Sequence, residues 1–153
     1  MEQTIKLLGT YDFSIYGIDG KLRDQWSVKN AVMTVGFAQL ALLCGDATAV
    51  PFTYLAVGTS TTAVAINQTT LVAETTTNGL ERAAGTVSRI TTTGANDTFK
   101  ITKTWTASGS VTVEEVGVFN DASAGTMLSR ALTTSKAVVS GETITCTYKL
   151  KFA

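Results

Sequence analysis

Paired carboxylates can act as general acid and base, and the chain has one adjacent pair, Glu114 and Glu115. The pair falls in an apolar run that we predict to be a β-strand, residues 111–119. Since successive strand residues point to opposite faces, the two carboxyl groups are not expected to share a substrate. The chain has no histidine, which excludes Ser-His-Asp and Cys-His catalytic sets and His-containing zinc sites. We therefore predict no catalytic residues and no enzyme.

Metal and cofactor motifs are also missing from the sequence. Cys44 and Cys146 are the only cysteines, so they cannot form a four-thiolate site, and we expect two buried thiols rather than a disulfide. The run NDASAG at residues 120–125 has too few carboxylates for a calcium loop and predicts an Asx-type turn. No P-loop phosphate-binding motif occurs. We predict no metal and no cofactor.

Glu115 raises a separate question, because strand parity places it on the same face as Val111 and Val113. If that face is buried, the carboxylate needs a cationic partner, and Arg82 or Arg89 on a preceding strand is the natural one. We predict a structural ion pair between Glu115 and Arg82. The alternative is that Glu115 lies near a rim, where water solvates it.

Composition describes one folded and weakly charged domain, residues 1–153. Twelve basic and twelve acidic residues give zero net charge, which fits a component of an assembly. Because the lysines and arginines are scattered singly, we expect no nucleic-acid partner. No apolar run reaches the roughly 18 residues of a membrane-spanning helix, so we expect no membrane partner. The opening run MEQTIKLLGT lacks a signal-peptide pattern, which predicts synthesis in a cytoplasm.

Residues 143–152 alternate without a break between apolar and polar side chains. This pattern predicts a strand with one buried and one solvated face. Other short apolar runs recur between turn residues at roughly 10-residue spacing. Together they predict an all-β fold, mainly an antiparallel β-sandwich or a jelly-roll-like barrel. The other predicted strands cover residues 4–9, 13–18, 21–26, 52–58, 81–91, 99–107, 111–119 and 126–132.

One segment, residues 30–43, changes to the helical period. Asn30 or Ser27 can cap its start, and Gly45 can close its end. Apolar residues cover most of its circumference. We therefore predict one α-helix that packs against the sheet or against a neighbouring subunit.

Residues 1–28 form a candidate N-terminal β-hairpin arm. Asp19 and Gly20 suit its turn, since both central positions of a type I′ turn have positive φ. The segment precedes the helix and could extend away from the core. The alternative is that it pairs within the protein's own sheet.

Two blocks of the sequence carry a resemblance to a known group of proteins. Residues 54–63 read YLAVGTSTTA, followed by LVAE at 71–74 and then Arg82; residues 115–120 read EVGVFN, followed by GTMLSR at 125–130. With the amphipathic closing strand, these blocks resemble a pattern common in small structural proteins of tailed bacteriophages. Capsid decoration proteins, also called cement or auxiliary head proteins, are of this kind.

The resemblance implies a virion protein on the outer capsid surface, made in the host cytoplasm. Its implied partners are the major capsid protein and further copies of itself, a trimer being favoured over a dimer. Such proteins clamp the junctions between major capsid subunits. The alternative is a tail-fibre or tail-tip module that binds another tail protein or a host surface glycan. Exposed aromatic residues in a groove, such as Trp105, Tyr11 or Tyr16, would support that alternative.

Within this interpretation the N-terminal arm supplies the capsid contact. An extended segment can add a strand to a neighbour's open sheet edge, where main-chain hydrogen bonds supply the affinity. The predicted contact residues are Thr4, Ile5, Lys6, Leu7, Tyr11, Phe13, Ile15 and Tyr16.

Overall fold

Threonine, valine and aromatic residues favour strands because their side chains fit a pleated, half-buried surface. The structure, a computed structural model, describes residue 2 and residues 4–153, and most of its regular elements are strands. The elements are β1 (Leu7–Tyr16), β2 (Leu22–Lys29), β3 (Ala31–Val32), α1 (Thr34–Leu43), β4 (Tyr54–Gly58), β5 (Ala83–Ala84), β6 (Thr86–Ile90), β7 (Thr98–Thr106), β8 (Val111–Phe119), β9 (Met127–Val138) and β10 (Thr143–Phe152).

The strands form two antiparallel sheets of five. Sheet A has the order β2-β1-β10-β7-β6, and sheet B has the order β3-β9-β8-β4-β5. Apolar side chains from both sheets make one core cluster, which includes Phe13, Ile101 and Tyr148 of sheet A and Leu55 and Val116 of sheet B. The predicted all-β, sandwich-like fold with one helix is confirmed.

β10 lies at the centre of sheet A, between β1 and β7. Its apolar side chains at alternate positions face the core, and those of Cys146 and Tyr148 are completely buried. On the opposite face, the hydroxyl of Thr147 lies 3.0 Å from that of Thr102 on β7. The predicted alternation is confirmed, because the two faces of the strand meet different surroundings.

The N-terminal segment belongs to the sandwich and is not a free arm. β1 is one continuous strand where two short ones were predicted, and it pairs with β10 on one side and β2 on the other. Tyr11, Phe13 and Ile15 are completely buried. The arm prediction is therefore wrong for β1 and β2, since release of these strands would expose three large core side chains. Residues 1 and 3 of the predicted arm lie outside the described residues.

A turn at residues 17–20 joins β1 to β2, as predicted, but it is not of type I′. Within the turn Gly20 alone has positive φ, at +76°. The Gly20 N–H donates to the Gly17 carbonyl, and the Gly17 N–H donates to the Lys21 carbonyl. Asp19 accepts the Lys21 N–H with its carboxylate at 3.0 Å. A short hairpin loop with glycine in the left-handed region has this arrangement.

The helix α1 begins later than predicted, and no side chain caps it. Met33 at the N-cap is extended and has no side-chain cap hydrogen bond. The Asn30 amide donates instead to the Tyr148 hydroxyl, at 3.0 Å. α1 packs on β9, and a Cβ at Gly36 would lie only 2.4 Å from the Leu128 carbonyl oxygen. Within residues 2 and 4–153, no helix has both the length and the apolarity needed to cross a membrane.

The segment predicted as one strand at residues 81–91 changes sheets at Gly85. β5 pairs with β4 in sheet B, and β6 pairs with β7 in sheet A. A Cβ on Gly85 would lie 2.6 Å from Ile101 Cγ1, so close packing at the crossing requires glycine. As a result, β6 forms one edge of sheet A.

Candidate functional site

Glu115 is buried, as one of the two sequence interpretations expected, but its partner is not Arg82. Glu115 Oε2 lies 2.8 Å from Arg130 Nε, and both side chains are 0% exposed. Arg82 pairs with Glu74 instead, at 2.6 Å. The predicted Glu115–Arg82 pair is therefore wrong.

A β-bulge in β8 explains why strand parity misplaced Glu115. The register with β9 shifts between Val113 and Glu115. Val113 and Val116 consequently both face the core between the sheets, and Glu115 points to the outer face of sheet B. On that outer face Gly117 stands opposite Arg130. The Arg130 side chain therefore lies diagonally next to Glu115 across the two strands.

The buried pair also holds the long segment between β4 and β5 against sheet B. The Glu115 carboxylate accepts the N–H groups of residues 72–73, at 3.2 and 2.7 Å. Arg130 donates to the Thr62 carbonyl and to Gln68 Oε1, each at 2.9 Å. Since both charged groups are occupied by fixed partners, the pair holds the covering segment in place and is not arranged to bind a substrate.

Arg82 forms a second ion pair that holds part of the β4–β5 segment in place. Its Nε and Nη2 donate to the two carboxylate oxygens of Glu74, at 2.8 and 2.6 Å. The guanidinium carbon lies 3.6 Å from the centre of the Phe119 ring, and Nη1 donates to the Ala124 carbonyl at 2.7 Å. Arg82 therefore connects the β4–β5 segment to the turn between β8 and β9.

That turn, residues 120–125, has the Asx-type form predicted from its sequence. Asp121 Oδ1 accepts the N–H of Ser123 at 3.0 Å and of Ala124 at 3.3 Å. These backbone N–H donors lower the pKa of the Asp121 carboxyl below its usual value. The carboxylate therefore serves the turn itself.

The residues predicted for capsid contact differ in burial. Tyr11, Phe13 and Ile15 are completely buried in the core, so these three cannot reach a partner. The prediction is wrong for them because β1 is an inner strand of sheet A. Leu7 is half-buried and packs against the core. The other predicted contact residues, which are exposed, are Thr4, Ile5, Lys6 and Tyr16.

Two of the aromatic residues considered for a ligand groove are also core residues. Trp105 is 4% exposed, and its indole N–H donates to the Glu81 carbonyl at 2.8 Å. Tyr11 is 0% exposed, and its hydroxyl lies 2.6 Å from that of Ser129. Trp105, Tyr11 and Tyr16 therefore do not form a stacking groove for a glycan.

The two thiols have different surroundings, although both were expected to be buried. Cys146 is buried, and burial raises the pKa of its thiol. Cys44 is exposed at the end of α1, where its Sγ lies 3.4 Å from the Leu40 carbonyl oxygen. The prediction is wrong for Cys44 because this part of the helix is not covered by the sheets.

An apolar cleft of about 480 Å³ opens at the end of the sandwich beside α1. Its lining includes Leu40, Leu43, Phe52, Val87, Phe99 and Leu150. The helix, the chain before β4 and strands of sheet A all contribute. Leu43 is 37% exposed and Val87 is 44% exposed, so part of the lining meets solvent. A concavity of this size and lining can receive apolar groups from a partner.

Arg89 on β6 is the charged residue of this cleft. It stands opposite Phe99 in the pairing of β6 with β7, and both residues line the cleft. Arg89 is exposed and forms no salt bridge with any residue of the described chain. A guanidinium beside an apolar cavity favours a carboxylate as its partner.

Sequence reasoning missed both Arg130 and the cleft. Glu115 begins the EVGVFN block and Arg130 ends the GTMLSR block, so the blocks themselves carried the signal of an ion pair across a short turn. The cleft had no such signal, because its lining comes from elements far apart in the chain.

The chain shows no match to a known protein family, to a curated protein or to a solved structure. Fold and site define its class: a two-sheet β-sandwich with buried structural ion pairs and an open apolar cleft.

Proposed function

We propose that this chain is a bacteriophage virion structural protein of the capsid-decoration type. In this proposal it binds the outer surface of the head and stabilises the lattice of the major capsid protein. Support comes from the resemblance of its two sequence blocks to small structural proteins of tailed phages. The residues that carry the blocks, among them Glu115 and Arg130, hold the fold together, as expected for a scaffold.

The observation that carries the proposal is the open apolar cleft beside α1. Leu43, Val87 and Phe152 line it and are 37%, 44% and 44% exposed. Apolar groups concentrated in one region of a surface mark an interaction site. Protein partners are the ordinary occupants of such a surface, and the head offers many identical ones.

The proposed mechanism is multivalent adhesion without chemistry. Each contact with a major capsid subunit is weak, but an oligomer that bridges several subunits gains effective concentration for every further contact. We favour a trimer over a dimer as that oligomer. Clamped subunits would separate less easily when packaged DNA presses on the shell. The protein would act in the virion, on the outer capsid surface.

The tail-fibre or tail-tip alternative has less support. It relied on exposed aromatic residues in a groove, and Trp105 and Tyr11 are both buried.

The test is to add purified protein to undecorated heads of the phage that encodes it. We expect saturable binding at a stoichiometry set by the capsid lattice, together with a higher disruption temperature of the decorated heads. Binding to isolated tails, with no binding to heads, would contradict the proposal.

A further inference from the structure

The open edge of β6 lies directly beside the apolar cleft. β6 pairs with β7 alone among the described strands, so its other side presents unpaired main-chain groups. Val87 and Arg89 stand opposite the core-facing Ile101 and Phe99 and share their face. Every second side chain of a strand added to β6 would point to that same face. Such a strand could therefore direct side chains towards the cleft.

The opposite edge of sheet A, β2, also has no described strand on its outer side, but its charged side chains Arg23 and Asp24 already have partners and none of its residues lines the cleft. On β2, Arg23 pairs with Glu142, at 2.7 Å. Asp24 on the same strand pairs with Lys136 of β9. These contacts connect the β2 edge to neighbouring elements. The edge strands of sheet B, β3 and β5, have only two residues each. Among the described edge strands of more than two residues, β6 is the one that lines the cleft, so a strand added there could use both the main-chain edge and the cavity.

Cleft and charge together indicate what the added strand would carry. Burial of a bulky apolar side chain in the cleft would remove exposed apolar surface of Leu43 and Val87 from water. A carboxylate nearby could form a bidentate pair with Arg89, which has no salt-bridge partner within the described residues. An extended segment with a bulky apolar side chain and a carboxylate would therefore match the β6 edge, the cleft and Arg89.

We propose that β6 is the docking edge, and that an extended segment of the major capsid protein adds to it as a strand. The segment places an apolar side chain in the cleft and a carboxylate on Arg89. This inference rests on the proposed function and deepens it by naming the contact surface and the chemistry of the partner segment. Main-chain hydrogen bonds supply affinity, while cleft and guanidinium supply specificity.

The experiment compares head binding by the wild-type chain, Val87→Asp and Arg89→Glu. Lys100→Glu is the matched control, because Lys100 is on the neighbouring strand opposite Ser88, on the other face of sheet A. We expect Val87→Asp and Arg89→Glu each to weaken binding by about tenfold or more and Lys100→Glu to leave it within about twofold. Val87 and Arg89 are exposed, so circular dichroism should show all variants folded.

The outcomes separate the two proposals. If the wild-type chain does not bind heads, the decoration function and its capsid strand are both wrong. If it binds, and Arg89→Glu and Val87→Asp bind equally well, the function stands and the β6 edge is the wrong surface.

Photo-crosslinking in the virion tests the occupant directly. A benzophenone amino acid in place of Val87 should give a product with one capsid segment that contains a bulky apolar residue and an acid. The same probe in place of Thr104, on the far face, should not give that product. A product between two copies of this chain would make a second copy the occupant and overturn the proposal.

Discussion

Glu115 on β8 and Arg130 on β9 form an ion pair at 2.8 Å with no exposure of either side chain. Both residues lie on the outer face of sheet B, where the segment between β4 and β5 covers them. An isolated charge in such a place would be strongly destabilising, so each of the two charged groups requires the other and its hydrogen-bond partners in the folded state. The pair makes the covering segment part of the folded core.

Loss of one member of this pair should be severe. Arg130→Met leaves the Glu115 carboxylate buried without its cation, and we expect a loss of about 3–5 kcal/mol in the free energy of unfolding. Lys136→Met, which breaks the solvent-accessible pair with Asp24, should lose much less, because water screens that pair. Urea denaturation of both variants measures the difference. Equal losses would contradict a structural role for the buried pair.

Removal of both charges tests whether Glu115 also holds the segment between β4 and β5. Glu115→Leu combined with Arg130→Met should recover part of the stability lost by Arg130→Met, because no unpaired charge remains. The N–H groups of residues 72–73 lose their carboxylate acceptor, so their hydrogen exchange should accelerate. Unchanged exchange there would show that the segment is held by other contacts.

Gly36 should tolerate no side chain where α1 meets β9. A Cβ at this position would lie 2.4 Å from the Leu128 carbonyl oxygen, whereas one at Gly45 would meet nothing within 4 Å. Alanine is favoured over glycine inside a helix by roughly 1 kcal/mol, so a net loss must come from the steric clash. We expect Gly36→Ala to lose about 1–3 kcal/mol in thermal unfolding and Gly45→Ala to change stability by about 0.5 kcal/mol or less. A stabilised Gly36→Ala would refute the close contact.

The two thiols should differ in reactivity. Cys44 is exposed, whereas Cys146 is buried and burial raises the pKa of its thiol. The thiolate is the reacting form, so a thiol reagent should modify Cys44 in the native protein and Cys146 only after denaturation. Cys44→Ser should abolish the native reaction. Rapid native labelling of Cys44→Ser would show that Cys146 is accessible.

Acid should weaken the fold partly through Asp97. Backbone N–H groups, with Gly94 first and then residues 92–93, hold the pKa of its carboxyl well below the usual 3.8. The unfolded chain therefore binds a proton more readily, and stability present above about pH 4 is lost as pH falls through the lowered pKa. The melting temperature of Asp97→Asn should be lower than that of the wild-type chain at neutral pH, and the difference should decrease towards about pH 3. A difference in melting temperature that does not depend on pH would contradict this role.

Features of the fold that depend on local sequence patterns could be predicted from the sequence. The alternation of β10 predicted its burial, since each face of that strand meets a uniform environment. The same prediction from alternation was wrong in β8, because the bulge before Glu115 adds one residue and the side chains after it point to the opposite faces of the sheet. The burial of β1 depends on its two partner strands, which its own polar and apolar residues do not specify. The cleft depends on distant segments and could not be predicted from any one of them.

The location of this chain in the virion tests the central proposal most directly. A reconstruction of the intact particle by cryo-electron microscopy should show its density on the outer head surface, at junctions between major capsid subunits. Density confined to the tail, or virions that contain none of the chain, would contradict the proposal.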